Sequence, residues 1–188
     1  MIGDYKGFVK NKVIVALLHA YNDILDYDGM KSILREAEMM HIKDIGDEDP
    51  NDTLSFFSFK KIISAQNCLL YDSSKLLYEI GKKLSFYLFP FGLNFEEIIK
   101  EINNLIITDW KVEILDNNGN EVTIQVERCI FCSEIGVPCD LFIGFLVHSL
   151  QISLPSVQTV IVKNGKEDIN NPAHNSFILK LKIKKNIK

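Results

Sequence analysis

Apolar residues recur every three or four positions through most of the first hundred residues, and this spacing predicts a helical N-terminal half. The clearest stretch is 12–26, where the apolar residues form one stripe and Asp28 and Gly29 then break the pattern. Asp28 has a side chain suited to a helix N-cap, so we predict that it begins a second helix. In all, the pattern predicts helices over 12–26, 28–40, 56–70, 73–89 and 95–106.

Alternating apolar and polar residues replace the helical pattern after Ile107. Segments 110–115 and 121–127 alternate on either side of the turn-forming sequence Asp-Asn-Asn-Gly, which predicts a β-hairpin. A helix over 138–150 and strands over 156–163 and 176–183 are predicted to follow, with Asn164 and Gly165 as a second turn. The elements predict an α+β fold, in which N-terminal helices pack on a four-stranded antiparallel sheet and the C-terminal half has the order ββαββ.

Composition changes this picture little. The chain of 188 residues is 47% hydrophobic and 24% charged, which is typical of a soluble globular protein. Its net charge of −4 gives no argument for a nucleic-acid partner, and we predict none. The lysines of 180–188 alternate with apolar residues, as on the solvated face of an edge strand. We expect no membrane span, and we expect a cytoplasmic protein because the first residues lack the layout of a signal peptide.

Cys129, Cys132 and Cys139, with His174 further along, form the pattern with the clearest chemistry. Two cysteines separated by two residues can direct both sulfurs at one tetrahedral ion. A third cysteine and a histidine would complete a closed set of three thiolates and one imidazole. Because catalytic zinc keeps one position open for water, a closed set is structural. The cysteines and His174 therefore predict a structural zinc site.

Two other interpretations of these cysteines stay open. They can be buried reduced thiols without a metal, or a redox dithiol, since Cys139 lies at a predicted helix start where the dipole lowers a thiol pKa. Cys68, beside two leucines on a predicted helix, is expected to be a buried apolar residue. His148 is about 13 Å from Cys139 along one helix, at about 1.5 Å per residue, and is too far away to share an ion.

The segment 127–146 resembles the core of the 4-vinyl reductase domain family. In that family a hairpin ends in cysteines, and a further cysteine opens a helix with a Gly-Phe-Leu type sequence, here residues 144–146. A later Gly-Asp-Pro-x-Cys-x-Phe type segment is matched by 171–177, where His174 stands near the family's cysteine. One residue is inserted between His174 and Phe177, and the family's cysteine pair before the last strand is missing.

This resemblance implies a single domain over 1–188, with 1–65 as a helical lead-in and 70–188 as the core of the likeness. It implies a fold shared with haem-based nitric-oxide sensor domains and with small subunits of vesicle-tethering complexes. It also implies a homodimer, and a cavity between helices and sheet for a small apolar ligand. The aromatic residues that would line this cavity, or else form an ordinary core, are Phe86, Phe89, Phe142 and Phe145.

From these observations we predict a ligand-binding sensor or regulatory module with a structural zinc site. The expected ligand is apolar or tetrapyrrole-like. The alternatives are an enzyme or accessory protein in tetrapyrrole vinyl reduction, or a non-catalytic assembly subunit. The sequence carries no nucleotide-binding motif that would support the enzyme. A haem would need a histidine or cysteine that faces a wide cavity, for which His148 and His19 are eligible.

Overall fold

The computed structural model describes residues 6–43, 49–90, 93–132, 139–168 and 175–185. None of the helices in these ranges is long and apolar enough to span a lipid bilayer. The elements in chain order are β1 (Phe8–Lys10), α1 (Asn11–Glu36), β2 (Thr53–Ser55), α2 (Phe56–Leu69), α3 (Ser74–Leu88), α4 (Phe95–Leu105), β3 (Ile106–Ile107), β4 (Lys111–Asn117), β5 (Glu121–Glu127), α5 (Asp140–Ile152), β6 (Gln158–Asp168) and β7 (Phe177–Lys185).

The first two predicted helices form one element, α1, which is interrupted at Asp26. Asp26 has a φ of 62°, a left-handed value that few residues other than glycine adopt. Its carboxylate accepts a hydrogen bond from the Gly29 backbone N–H at 2.9 Å, as an N-cap does. The prediction that Asp28 caps the second segment was therefore wrong by two residues.

A small sheet that the sequence pattern did not predict joins the start of the described chain to α2 and α4. Its strand order is β2-β1-β3, and all pairs are antiparallel. Val9 lies at its centre, opposite Leu54 on one side and Ile106 on the other. Strands of two or three residues are too short to show alternation, so their pairing is visible only in the structure.

The four-stranded sheet confirms the predicted α+β class, with strand order β4-β5-β7-β6 and antiparallel pairing throughout. The predicted hairpin is β4–β5. Asn164 and Gly165 do not end a strand, because β6 continues to Asp168 with a shift of register between Val162 and Lys166. The expected turn is thus a bulge, which inserts extra residues opposite one partner strand.

The lysine-rich C-terminal strand is a central strand, which corrects the edge-strand expectation. β7 lies between β5 and β6. Phe177, Leu179 and Leu181 are buried, whereas Lys180 pairs with Glu167 of β6 at 2.8 Å. Lys163 and Glu121 form a similar pair at 2.7 Å. The alternation therefore records one face against the core and one charged face, which antiparallel sheets commonly show.

Helices α3 and α5 cross at two glycines. A methyl group built on Gly81 would overlap the backbone carbonyl of Leu141, and one built on Gly144 would overlap that of Tyr78. Each glycine thus faces backbone of the opposite helix, so the two helices approach more closely than side chains would allow.

We expect Gly144→Ala to lower the free energy of unfolding by about 1–3 kcal/mol, because the methyl group meets backbone that cannot rotate away. Helix propensity alone would make the alanine variant more stable than glycine by about 1 kcal/mol. A loss of stability would therefore show that the packing clash outweighs helix propensity. Denaturant unfolding can be followed by the fluorescence of Trp110, the single tryptophan, which is buried. Lys100→Ala on the exposed face of α4 is the control. An equal or higher stability for Gly144→Ala would contradict the close helix crossing.

Candidate metal centre

The structure brings Cys129, Cys132 and Cys139 together. Their sulfur atoms all lie within 4.8 Å of one another, and the three residues are only 1–3% exposed. Cys129 and Cys132 lie in the turn that follows β5, and Cys139 immediately precedes α5. The sequence prediction that these three residues share a site is consistent with this geometry.

Backbone contacts fix the cysteine loop, residues 128–132, against the start of β7. Arg128 has a φ of 51°, which turns the chain sharply away from β5. Its backbone N–H donates to Ser176 Oγ at 2.9 Å, and the Cys129 N–H donates to the Asn175 carbonyl at 2.6 Å. His174, the predicted fourth ligand, lies outside the described residues, but its chain neighbour Asn175 contacts the first cysteine directly.

The spacing of the closest two sulfurs lies between a disulfide bond and the separation that a shared zinc ion would set. Cys129 Sγ and Cys139 Sγ are 3.0 Å apart, and none of the four cysteines forms a disulfide. A disulfide requires about 2.05 Å. Tetrahedral zinc with bonds of about 2.3 Å sets two sulfurs about 3.8 Å apart. A bound ion would therefore increase the distance between these two sulfurs by somewhat less than ~1 Å. A rotation of either side chain can supply this movement.

The three sulfurs interact electrostatically. Burial works to raise the pKa of the Cys129 thiol, but hydrogen bonds from Cys132, Cys139 and the backbone N–H groups of Phe131 and Cys132 together lower it well below the usual range. Burial and the neighbouring Cys129 and Cys132 raise the pKa of Cys139. The shared hydrogen bonds thus shift the pKa values of Cys129 and Cys139 in opposite directions. A group of clustered sulfurs is suited to receive a soft metal cation.

Helix α2 supplies polar side chains to the carbonyl groups of the cysteine loop. Lys60 Nζ donates to the carbonyls of Ile130 and Cys132, each at 3.2 Å, and Asn67 Nδ2 donates to that of Phe131 at 3.2 Å. Sequence reasoning missed Lys60 and Asn67. The available signal was the Gln66-Asn67 pair within an otherwise apolar helical stripe, since buried amides require partners.

Cys68 is separate from the cluster and is exposed, so its predicted burial was wrong. It lies near the end of α2, in a surface cleft of about 350 Å³ between α2 and the end of α1. Lys60 and Lys61 line the same cleft. Leu69 beside it is also 48% exposed. The presence of Leu69 beside Cys68 in the sequence therefore does not indicate that this face of α2 is buried.

Three of the four predicted pocket residues lie together in the core. Phe142 stacks on Phe145 with ring centroids 5.4 Å apart, and Phe145 meets Phe89 at 6.2 Å. Phe142 also stacks on Phe131 of the cysteine loop at 5.2 Å. Phe86 is apart from them, because it is 49% exposed.

Phe86 instead borders a surface groove of about 250 Å³ with Glu79, Lys82, Lys83 and His148. His148 is half-buried, and its Nδ1 lies 3.1 Å from Ser85 Oγ. Burial lowers the pKa of this imidazole, and the nearby Lys82 lowers it further. As predicted, His148 is not among the side chains that cluster with the cysteines in the described part of the chain.

Comparisons with solved structures establish the fold relationship. A mutant H-NOX protein from K. algicida, in the Fe(II) unliganded state, has a TM-score of 0.61 at 10% identity, over 95% of this chain and 98% of that one. An oxygen-binding H-NOX domain related to soluble guanylate cyclases has 0.55 at 13%, over 96% and 98%. A mutant of T. tengcongensis H-NOX has 0.53 at 14%, over 95% and 98%.

At such identities the likeness shows the fold alone. It confirms the expected relation to haem-based nitric-oxide sensor domains. No family model and no curated protein matches this sequence.

We expect a thiol reagent to modify the native protein in two phases. Cys68 is exposed and should react within the mixing time, whereas the three buried cysteines should react only as the protein opens. The measurement is a stopped-flow titration with a chromogenic disulfide. Cys68→Ser should remove the fast phase and nothing else. A single rate for all four thiols would contradict the burial of the cluster.

Proposed function

We propose that this protein is a regulatory or sensory module with a structural zinc ion held by Cys129, Cys132 and Cys139. The observation that carries the proposal is the convergence of three buried sulfurs from two separate segments on one point. Thiolate-rich sets select zinc among the abundant divalent ions. The burial of all three cysteines favours a structural role.

We propose His174 as the fourth ligand. The support is its position in the chain, one residue before Asn175, whose carbonyl is bonded to the Cys129 N–H. Three thiolates and one imidazole form a common closed zinc set. The ion would then tie together the end of β5, the start of α5 and the approach to β7.

The haem suggested by the structural neighbours does not suit the described residues. A haem needs a space as wide as a porphyrin and an axial ligand facing it. The rings of Phe131, Phe142, Phe145 and Trp110 are buried, and Phe142 contacts each of the other three. His148 is bonded to Ser85 beside a surface groove, and His19 and His41 are exposed. We therefore derive no haem chemistry for this chain.

We also propose that the module binds a small apolar ligand, and that this ligand is the signal it senses. Such a ligand would insert among the stacked rings of Phe89, Phe142 and Phe145. Because Phe142 stacks on Phe131 of the cysteine loop, a displaced ring would also press on the loop. The likeness to the 4-vinyl reductase family, homodimerisation and a cytoplasmic location belong to the same proposal.

The zinc proposal predicts one zinc per chain in native mass spectrometry, with the ion lost on denaturation. Cys132→Ser should lose the ion and lower the melting temperature by about 10 °C or more. This follows because a loss of several kcal/mol shifts a domain of this size by about 2–4 °C per kcal/mol. Cys68→Ser is the matched control and should keep both the ion and the melting temperature.

The same spectra report on the other parts of the proposal. An extra organic mass would identify a retained ligand, and a doubled mass would support the homodimer. Metal-free protein with unchanged stability in Cys132→Ser would overturn the zinc site and favour a redox dithiol or a bare scaffold.

A separate measurement tests the fourth ligand. His174→Ala should weaken zinc binding in competition with a chromophoric chelator by about tenfold or more, since a ligand is lost from a closed site. His41→Ala, which removes an exposed histidine, is the control. Equal zinc affinities for the two variants would exclude His174 and direct attention to another donor.

A further inference from the structure

The strongest feature outside the sulfurs themselves is the contact between α2 and the cysteine loop. The three consecutive carbonyl groups of Ile130, Phe131 and Cys132 each accept a hydrogen bond from an α2 side chain. Two of these bonds come from Lys60 and one comes from Asn67. One helix thus binds three consecutive carbonyls of the turn that carries two of the clustered cysteines, and the contact points to the site that the turn encloses.

Two of these bonds fix peptide units whose N–H groups face Cys129. A trans peptide is planar, and its C=O and N–H point in opposite directions. Lys60 holds the carbonyl of the Ile130–Phe131 peptide, whose N–H, that of Phe131, donates to the Cys129 sulfur. Asn67 holds the carbonyl of the next peptide, whose N–H, that of Cys132, donates to the same sulfur. The two side chains therefore orient both amide donors to this ligand.

The Asn67 amide is itself held in place by a buried chain of hydrogen bonds. Gln66 Nε2 donates to Asn67 Oδ1 at 2.9 Å, and Tyr21 OH donates to Gln66 Oε1 at 2.7 Å. All three side chains are at most 3% exposed. Because Asn67 Oδ1 is occupied as an acceptor, its Nδ2 must face the loop. The chain thereby connects the cysteine loop to α1 as well as to α2.

Lys60 also adds a charge that a loaded site requires. Three thiolates and one Zn²⁺ leave a net charge of −1 in a buried region, and an uncompensated buried charge is costly. The Lys60 ammonium is partly buried and bonded to the loop, whereas its neighbour Lys61 pairs with Glu38 at 3.2 Å. The two adjacent lysines thus provide a natural comparison.

We propose that Lys60 and Asn67 are positioning residues of the metal site, which hold the cysteine loop so that its amides and a nearby cation stabilise the metal-bound thiolates. The proposal rests on the metal site proposed above and adds the α2 helix to it. Residues that orient metal ligands in this way typically change metal affinity by about 10–100-fold when removed.

The test uses the full-length chain and Co²⁺ as a spectroscopic probe, followed by displacement with Zn²⁺. We expect Lys60→Met to weaken Co²⁺ binding by about 10–100-fold and to alter the thiolate-to-cobalt charge-transfer band. Lys60→Arg, which keeps the charge and the donors, should restore most of the affinity. Lys61→Met is the matched control and should match the wild-type protein in affinity and spectrum.

A second variant keeps the test decisive if Lys60→Met does not fold. Asn67→Asp has the same shape but replaces the Nδ2 donor by a carboxylate oxygen that faces the Phe131 carbonyl. It should weaken Co²⁺ binding at least as much, with circular dichroism as the measure of folding. If Asn67→Asp also fails to fold even when Co²⁺ is present, α2 is required for the fold rather than for the metal, and the proposal is overturned.

The outcomes separate the two proposals. If the folded wild-type protein binds neither Co²⁺ nor Zn²⁺, the metal site itself is absent. If the wild-type protein binds metal but Lys60→Met and Lys61→Met bind it equally, the metal site stands and the positioning role of Lys60 is wrong. A loss of melting temperature in Lys60→Met without a change of affinity or spectrum would show a purely structural contact.

Discussion

The close crossing of α3 and α5 is the constraint on which the other contacts depend. Gly81 and Gly144 face backbone of the opposite helix, so neither helix can move along the other without a clash or a gap. This crossing sets the position of α5 over the sheet. It therefore places Cys139, at the start of α5, beside the turn that follows β5, and it places Phe142 and Phe145 against the cysteine loop and α3.

The cysteine loop is held from three directions, each by a different kind of contact. The start of β7 binds its backbone N–H groups, α2 binds its carbonyls, and the ring of Phe131 stacks in the aromatic core. A turn of this kind has few intrinsic preferences and would be mobile if left alone. Its surroundings fix it, and preorganised ligands bind a metal without a further cost in chain entropy.

The relation to H-NOX domains concerns the path of the backbone, because a likeness at 10–14% identity shows the fold alone. In this chain, Phe142 contacts the rings of Trp110 and Phe145, and the three clustered cysteines lie at the end of the hairpin and the start of α5. A shared fold does not carry a shared ligand, because ligands are recognised by side chains at a site. The cysteine cluster is accordingly the better guide to what this chain binds.

The sequence by itself determined the α+β class, the β4–β5 hairpin and the grouping of the three cysteines, because periodicity and short spacings act locally along the chain. Only the tertiary structure decided the central place of β7, the small sheet around Val9, the exposure of Cys68 and the parts played by Lys60 and Asn67. These depend on partners far away in the sequence: Lys60 and Asn67 lie more than sixty residues from the loop they hold. No local pattern can encode such a contact. The packing of the layers decides which carbonyl each buried polar side chain meets.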